Sequence, residues 1–273
     1  MLRHTLQTAP GATPKHWAWL LHGILGSGQN LRLVARRLVV DLPDWGFVLP
    51  DLRNHGDSHD DGPPHTVSSC AADLDTLADS LGLDIRNAIG HSFGGKVALA
   101  WGASRDDDRQ AEGIWALDVQ PGKPDVPLAM QSDVVRVVAA LRQISMPLPR
   151  RDSIISVLSE QGFSPMMGQW MTTNLRPGDG GFVWRFDLDG IEAMLRDYAS
   201  VDLWPWLEDP RRRTRVDVVR AGRSERWNDA ELARFRLPLL HLHVLPDAGH
   251  WVHVDDPDGL HRLLVAGLTP TAL

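Results

Sequence analysis

Short apolar runs alternate with longer amphipathic stretches through the first 120 residues. The runs at 17–21, 47–49, 86–89 and 113–117 have the length and continuity of strands buried on both faces. Between them the spacing is helical. Leu31, Val34, Ala35 and Leu38 share one face, with Asn30 as a cap. Leu74, Leu77, Ala78 and Leu81 share another, which stops at Gly82, and residues 95–101 form a third. Residues 2–7 read as an edge strand. Strand–helix alternation of this kind predicts a parallel sheet with helices on both faces. Right-handed crossovers bring all the strand C-termini to one edge. His22, Asp51, Ser92 and Asp118 each lie just past a strand end, so they share that edge.

The alternation stops between residues 121 and 206. Stripes at Val134, Val135, Val138 and Leu141, at 153–158, at Met166, Met167, Trp170 and Met171, and at 191–198 all have helical spacing. No strand-like alternation of any length is read there. The segment is a helical cap inserted between strands, and its Met and Trp residues serve as core, as a pocket wall, or both. Strands resume at 216–219 and 239–245. Asn228 caps a helix reaching 236, and Asp255 or Asp256 caps a last helix that has Pro257 in its first turn. The division is 1–120 for the first part of the core, 121–206 for the cap, and 207–273 for the second part.

Net charge is −7, which argues against a nucleic-acid binder that relies on phosphate contacts. The Arg211-Arg212-Arg213 cluster follows an acidic turn and reads as a solvated loop. Cys70 is the single cysteine, so no internal disulfide is possible and a reducing, cytoplasmic or similar organellar compartment is expected. No apolar run approaches the ~18 residues of a membrane span. Eleven Trp stand against one Tyr, and Trp170, Trp184, Trp204 and Trp206 fall in or beside the cap.

The chemistry centres on residues 90–94, Gly-His-Ser-Phe-Gly. A Gly-x-Ser-x-Gly turn between a strand and a helix lifts the serine to its apex. Side chains at 90 and 94 would collide with neighbouring backbone. The helix N-terminus directs free N–H groups toward negative charge forming beside Ser92. A serine hydroxyl needs a base, and His250, in a Gly-flanked loop after the last strand, is the best placed. His253 is a weaker competitor. His241 and His243 alternate on a strand without an acidic or cysteine partner at ligand spacing, so they read as sheet-surface residues and no metal is expected. Residues 26–28 are not a phosphate cradle, since no Gly-Lys-Ser/Thr follows.

Taken together, His22 to Gly26, the Asp51–Ser58 loop, Gly90 to Gly95 and Asp247 to His250 resemble the α/β-hydrolase superfamily across nearly the whole chain. The Asp51–Ser58 loop and residues 117–122 are similar to the abhydrolase domain-containing protein 11 type of esterase. That resemblance implies an α/β-hydrolase fold, with a mostly parallel sheet, helices on both faces and a helical cap after the sixth strand. It implies a serine esterase or thioesterase working through an acyl-enzyme on a small apolar ester or thioester, without cofactor or metal. The chain order Ser, acid, His is met by Ser92, Asp118 and His250. Many hydrolases of this kind carry the acid in a loop like 222–225, where Ser224 occupies the expected position and Glu225 is one residue on; the resembled subfamily uses the Asp118 position. Asp118 is therefore expected to be the acid, with Glu225 as the alternative. The backbone N–H groups of Phe93 and Ile24, with Leu25 as second choice, are expected to form the oxyanion hole. Leu25, Met166, Met167, Trp170, Met171 and Trp251 are candidate pocket residues, and His55 and Asp57 brace the catalytic edge. A weakly catalytic ligand-binding protein on the same fold, or a carbon–carbon bond hydrolase using the same triad, remains the alternative.

Overall fold

Seven strands form one sheet in the computed structural model, which describes residues 1–59, 62–105, 109–124 and 133–269. In chain order the first part runs β1 (His4–Gln7), β2 (His16–Leu21), α1 (Arg32–Asp41), β3 (Trp45–Pro50), α2 (Val67–Leu81), β4 (Asn87–His91), α3 (Phe93–Ala103) and β5 (Gly113–Leu117). Next come α4 (Asp133–Arg142), α5 (Ser153–Glu160), α6 (Pro165–Thr172), β6 (Leu175–Gly178), β7 (Gly181–Trp184), α7 (Leu188–Ser200) and α8 (Trp204–Leu207). The chain closes with β8 (Arg215–Ala221), α9 (Asp229–Ala233), β9 (Leu240–Leu245), α10 (Val252–Asp255) and α11 (Pro257–Leu268).

The sheet order is β1-β3-β2-β4-β5-β8-β9. Only β1 is antiparallel, pairing His4 to Gln7 against Pro50 to Phe47. β3 and β4 are buried at every position, as expected for strands covered on both faces. The period-2 geometry sorts their side chains between two cores. Trp19, Leu21 and Val48 pack with α2 and α3 on one side. Ala18, Leu20, Phe47 and Leu49 pack with α1 and α11 on the other. Burial of each such large side chain stabilises the fold by about 1.5–3 kcal/mol.

Helix ends follow their sequence signals. Thr66 Oγ1 accepts the Ser69 amide to start α2, and Gly82 ends it at φ 64°. Asn228 caps α9, and of the two aspartates expected to cap α11 it is Asp256 that accepts the Gly259 amide. Asn30 does not cap α1. It closes a tight 3₁₀ turn by accepting the Ser27 amide at 2.6 Å, and α1 begins after that turn. Likewise α9 ends at Ala233, short of residue 236.

Among the described residues a single edge strand precedes the parallel set, so the inserted segment follows the fifth strand in chain order, not the sixth. That segment also holds a hairpin, β6–β7, with Leu175 opposite Trp184. The hairpin was missed because its strands are short. Its signal was the Asp179-Gly180 turn, where Gly180 takes φ 78°. Within the described residues no helix is long and apolar enough to cross a membrane.

Candidate active site

The turn between β4 and α3 holds Ser92 at φ 53°, ψ −115°, a conformation costly for any residue with a side chain. Two glycines make it possible. A Cβ at Gly90 would lie 2.2 Å from the Gly94 carbonyl oxygen, and one at Gly94 would lie 2.4 Å from that of His22. Strand and helix can therefore approach closely enough to expose the Ser92 hydroxyl. The Ser92 amide is tied to the neighbouring strand through the Leu117 carbonyl at 2.9 Å.

Three side chains from distant parts of the chain meet here. Ser92 Oγ lies 3.0 Å from His250 Nε2, and His250 Nδ1 lies 2.8 Å from Asp118 Oδ2. The carboxylate can only accept, so Nδ1 carries the proton and Nε2 is left to accept from the serine. Asp118 Oδ1 accepts the Ala221 amide and the Trp227 indole N–H, each at 3.1 Å. Burial alone would push the Asp118 carboxyl up. The bond from His250, its charge, and the Ala221 and Trp227 donors outweigh that and hold it below the usual carboxylate range. His250 is moved down by burial, opposed by Asp118, so its imidazole is neutral and basic at pH 7. The loop carrying it is pinned. His91 Nε2–H donates to the His250 carbonyl at 2.8 Å, and the Gly249 amide donates to Asp255 Oδ2 at 2.9 Å.

The loop after β2 is held by two buried histidines. His22 Nδ1–H donates to the Gly23 carbonyl at 2.8 Å while Nε2 accepts the Leu52 amide at 3.0 Å. His55 Nδ1–H donates to the Arg53 carbonyl at 2.9 Å while Nε2 accepts the Leu25 amide at 3.0 Å. Burial lowers both, to about 4 and about 3. They are neutral at pH 7 and serve as fixed donor–acceptor braces. Leu25 itself takes φ 58°, and its carbonyl is bound by Asn174 of the inserted segment at 2.8 Å. Since the Leu25 amide is committed to His55, Ile24 is the better of the two amides to face an oxyanion. Asp51, on the same edge, bridges the Gly28 and Asp57 amides at 2.8 Å each.

Above Ser92 opens a cavity of about 550 Å³. Leu25, Met166, Met167, Trp170 and Trp251 line it, and the Trp170 and Trp251 rings meet edge to face at 5.6 Å. Met171 does not line it. It is fully buried on the inner side of α6, its sulfur 3.7 Å from the Asn174 amide nitrogen, because α6 turns only one flank to the cavity. Glu225 is exposed, and the His250 Nδ1 it would have to hold is taken by Asp118. Ser224 keeps a buried hydroxyl without a hydrogen-bond partner. His253 packs edge-on against His91 at 4.8 Å and is not the histidine on Ser92. His243 forms a pair with Asp217 at 2.8 Å on the sheet.

Sequence reasoning missed several contributors. Val134, Val137, His91, Arg226 and Asp255 also line the cavity, and Trp227 donates to Asp118. Adjacency to Glu225 was the only signal for Arg226 and Trp227. Lys96 was missed as well. It is fully buried in the first turns of α3, where its ammonium donates to the carbonyls of Pro121 (3.1 Å), Gly122 (2.6 Å) and Val201 (3.4 Å). It thus ties together both ends of the inserted segment. Burial lowers it to about 7, against the pull of Glu231 and Asp202.

Comparison with known proteins gives a consistent picture. The sequence profile of the alpha/beta hydrolase family matches residues 9–263. The chain is 28% identical over 248 residues to the mouse sn-1-specific diacylglycerol lipase ABHD11, covering 87% of this chain and 76% of that one. It is 28% identical over 254 residues to the Escherichia coli K12 esterase YbfF, covering 90% of each. Among solved structures, a marine microorganism esterase superposes with a TM-score of 0.78 at 24% identity, covering 97% of this chain and 98% of that one. The chain belongs to the alpha/beta hydrolase family, resembles the ABHD11 type within it, and is a hydrolase.

Proposed function

We propose that the chain is a serine carboxylesterase or thioesterase that works through an acyl-enzyme, with Ser92 as nucleophile, His250 as general base and acid, and Asp118 as the orienting carboxylate. The observation that carries this reading is the unbroken run Ser92 Oγ–His250 Nε2 at 3.0 Å and His250 Nδ1–Asp118 Oδ2 at 2.8 Å. In this mechanism Ser92 Oγ attacks the acyl carbonyl as its proton passes to Nε2. The resulting imidazolium stays paired with Asp118. The Phe93 and Ile24 amides take the negative oxygen, a contribution of about 10²–10³ in rate for each such donor. The imidazolium then protonates the leaving oxygen or sulfur, and water repeats the sequence to free the acid and restore Ser92.

Residues 121–206 act in this reading as a cap, since Met166, Met167 and Trp170 from that segment wall the cavity over Ser92. Their apolar character favours an acyl group of modest size, in keeping with the ester substrates that the names of the E. coli and marine relatives indicate. The buried Cys70, whose thiol burial pushes well up, fits a reducing, cytoplasmic-type compartment. The test is a series of p-nitrophenyl esters and matched thioesters of increasing chain length. Turnover that peaks at short to medium chains and vanishes in Ser92→Ala is expected. Turnover that survives Ser92→Ala in a folded protein refutes the nucleophile.

A further inference from the structure

We propose that Arg226 selects substrates that carry an anionic substituent, a carboxylate above all, at the end of the acyl chain remote from the scissile bond. The proposal rests on the reading of Ser92 as the acylated residue. Arg226 lies on the same cavity as Ser92 and His250. Burial holds the lining histidines neutral at pH 7: His22 and His253 at about 4, His91 well below its ordinary value, and His250 lowered as well. Among the described residues the formal charges on the cavity are then Arg226 and Asp255. Asp255 has a structural task, since its Oδ2 accepts the Gly249 amide that shapes the His250 loop.

Arg226 has no such task. It is exposed at the cavity and makes no ion pair or hydrogen bond with any described residue, Asp255 included. Its neighbours along the chain differ: Arg223 pairs with Asp247 and Arg234 with Glu208. The next residue, Trp227, is buried and bonded to Asp118, which fixes the backbone from which the Arg226 side chain springs. The charge is felt inside the site, where it adds to the lowering that burial imposes on His250 and His91. A guanidinium presents a planar fork of donors matched to a carboxylate. Met167, Trp170 and Trp251 line the same cavity as Arg226 and Ser92, an apolar wall that suits a run of methylenes. Together these features describe an ester of a dicarboxylic acid, cleaved at one end and held by its free carboxylate at the other.

The test compares an aryl monoester of adipic acid with the same ester methylated at its free carboxyl, in wild type, Arg226→Gln and Arg226→Lys. The wild type is expected to favour the anionic ester by kcat/KM. Arg226→Gln should lower that preference about tenfold, the scale of one charge-assisted contact at a partly solvated site. Arg226→Lys should restore part of it, and added salt should erode it in the wild type and in Arg226→Lys but not in Arg226→Gln. A preference that Arg226→Gln leaves intact overturns the proposal. If neither ester is cleaved, calorimetric titration with adipate decides. Binding weakened about tenfold by Arg226→Gln upholds the anion site while the nucleophile reading falls. Absent binding, or binding equal in both proteins, overturns the anion site.

Discussion

Asp118→Asn probes the site by one atom. In the wild type both oxygens of the carboxylate accept: Oδ1 from the Ala221 amide and the Trp227 indole at 3.1 Å each, and Oδ2 from His250 Nδ1 at 2.8 Å. An asparagine has one oxygen. Two donors, Ala221 and Trp227, hold it where Oδ1 was, so the new NH₂ faces His250. Nδ1 must then accept, the ring proton moves to Nε2, and Nε2 can no longer take the proton of Ser92 Oγ 3.0 Å away. The wrong tautomer together with loss of the imidazolium's counter-charge lowers kcat by about 10⁴, or about 5.5 kcal/mol at 1.36 kcal/mol per decade. The fold keeps the Ala221 and Trp227 bonds and loses one charge-assisted bond, about 1–3 kcal/mol, a drop of several degrees in Tm. The assay is steady-state hydrolysis of a p-nitrophenyl ester at 25 °C beside a thermal melt, with Glu225→Gln as comparison. Glu225→Gln should stay within a few-fold of wild type, since Glu225 is exposed and His250 Nδ1 belongs to Asp118. If Asp118→Asn keeps near-wild-type turnover and Glu225→Gln loses several orders, the assignment of the acid is wrong.

The pH profile of kcat/KM should show an acid limb centred below 6.5, because burial lowers His250 and the base is lost only as pH falls through that lowered value; a limb centred above 7 contradicts it. His55→Ala removes the acceptor of the Leu25 amide and leaves that buried N–H unsatisfied, a cost of about 1–3 kcal/mol in stability. Because the same loop presents Ile24, kcat should also fall, by about 10-fold to 10²-fold at unchanged fold by circular dichroism; a lowered Tm with full kcat would separate the brace from the oxyanion site. Lys96→Met leaves the carbonyls of Pro121, Gly122 and Val201 without their donor and should speed proteolysis at both ends of the inserted segment. The sign of its pH dependence follows from burial. Lys96 titrates at 10.5 unfolded and about 7 folded, so its contribution relative to Met is largest above 10.5 and is lost as pH falls through 7. Denaturant titrations of both proteins from pH 6 to 10 check this, and parallel curves would refute it.

The sheet was legible because its strands are short, apolar and bounded by turns. A parallel sheet turns such a list into a shared edge, which is why Ser92, Asp118 and His250 could be read as neighbours from positions far apart in the chain. Glycine spacing around Ser92 was equally informative, since the close approach at Gly90 and Gly94 excludes any side chain. Side-chain direction was not legible. Met171 shares its helix with Met167 and Trp170, and only contact with Asn174 shows which way it turns. The hairpin β6–β7 carries too few residues for alternation to register against its turn signal. Polar residues with buried structural tasks were the least visible. His55 and Lys96 reveal theirs only through backbone partners supplied by distant loops and the ends of the inserted segment. Asn30 has the sequence form of a helix cap but closes the preceding turn, a choice set by one hydrogen bond to Ser27.

In the proposed mechanism the Ser92 hydroxyl becomes a nucleophile because His250 can take its proton. A fluorophosphonate probe tests it most directly, read by intact mass and peptide mapping. A single adduct is expected on the peptide that contains Ser92, lost in Ser92→Ala and greatly slowed in His250→Ala. An adduct on any other residue, or none on folded protein, would contradict it.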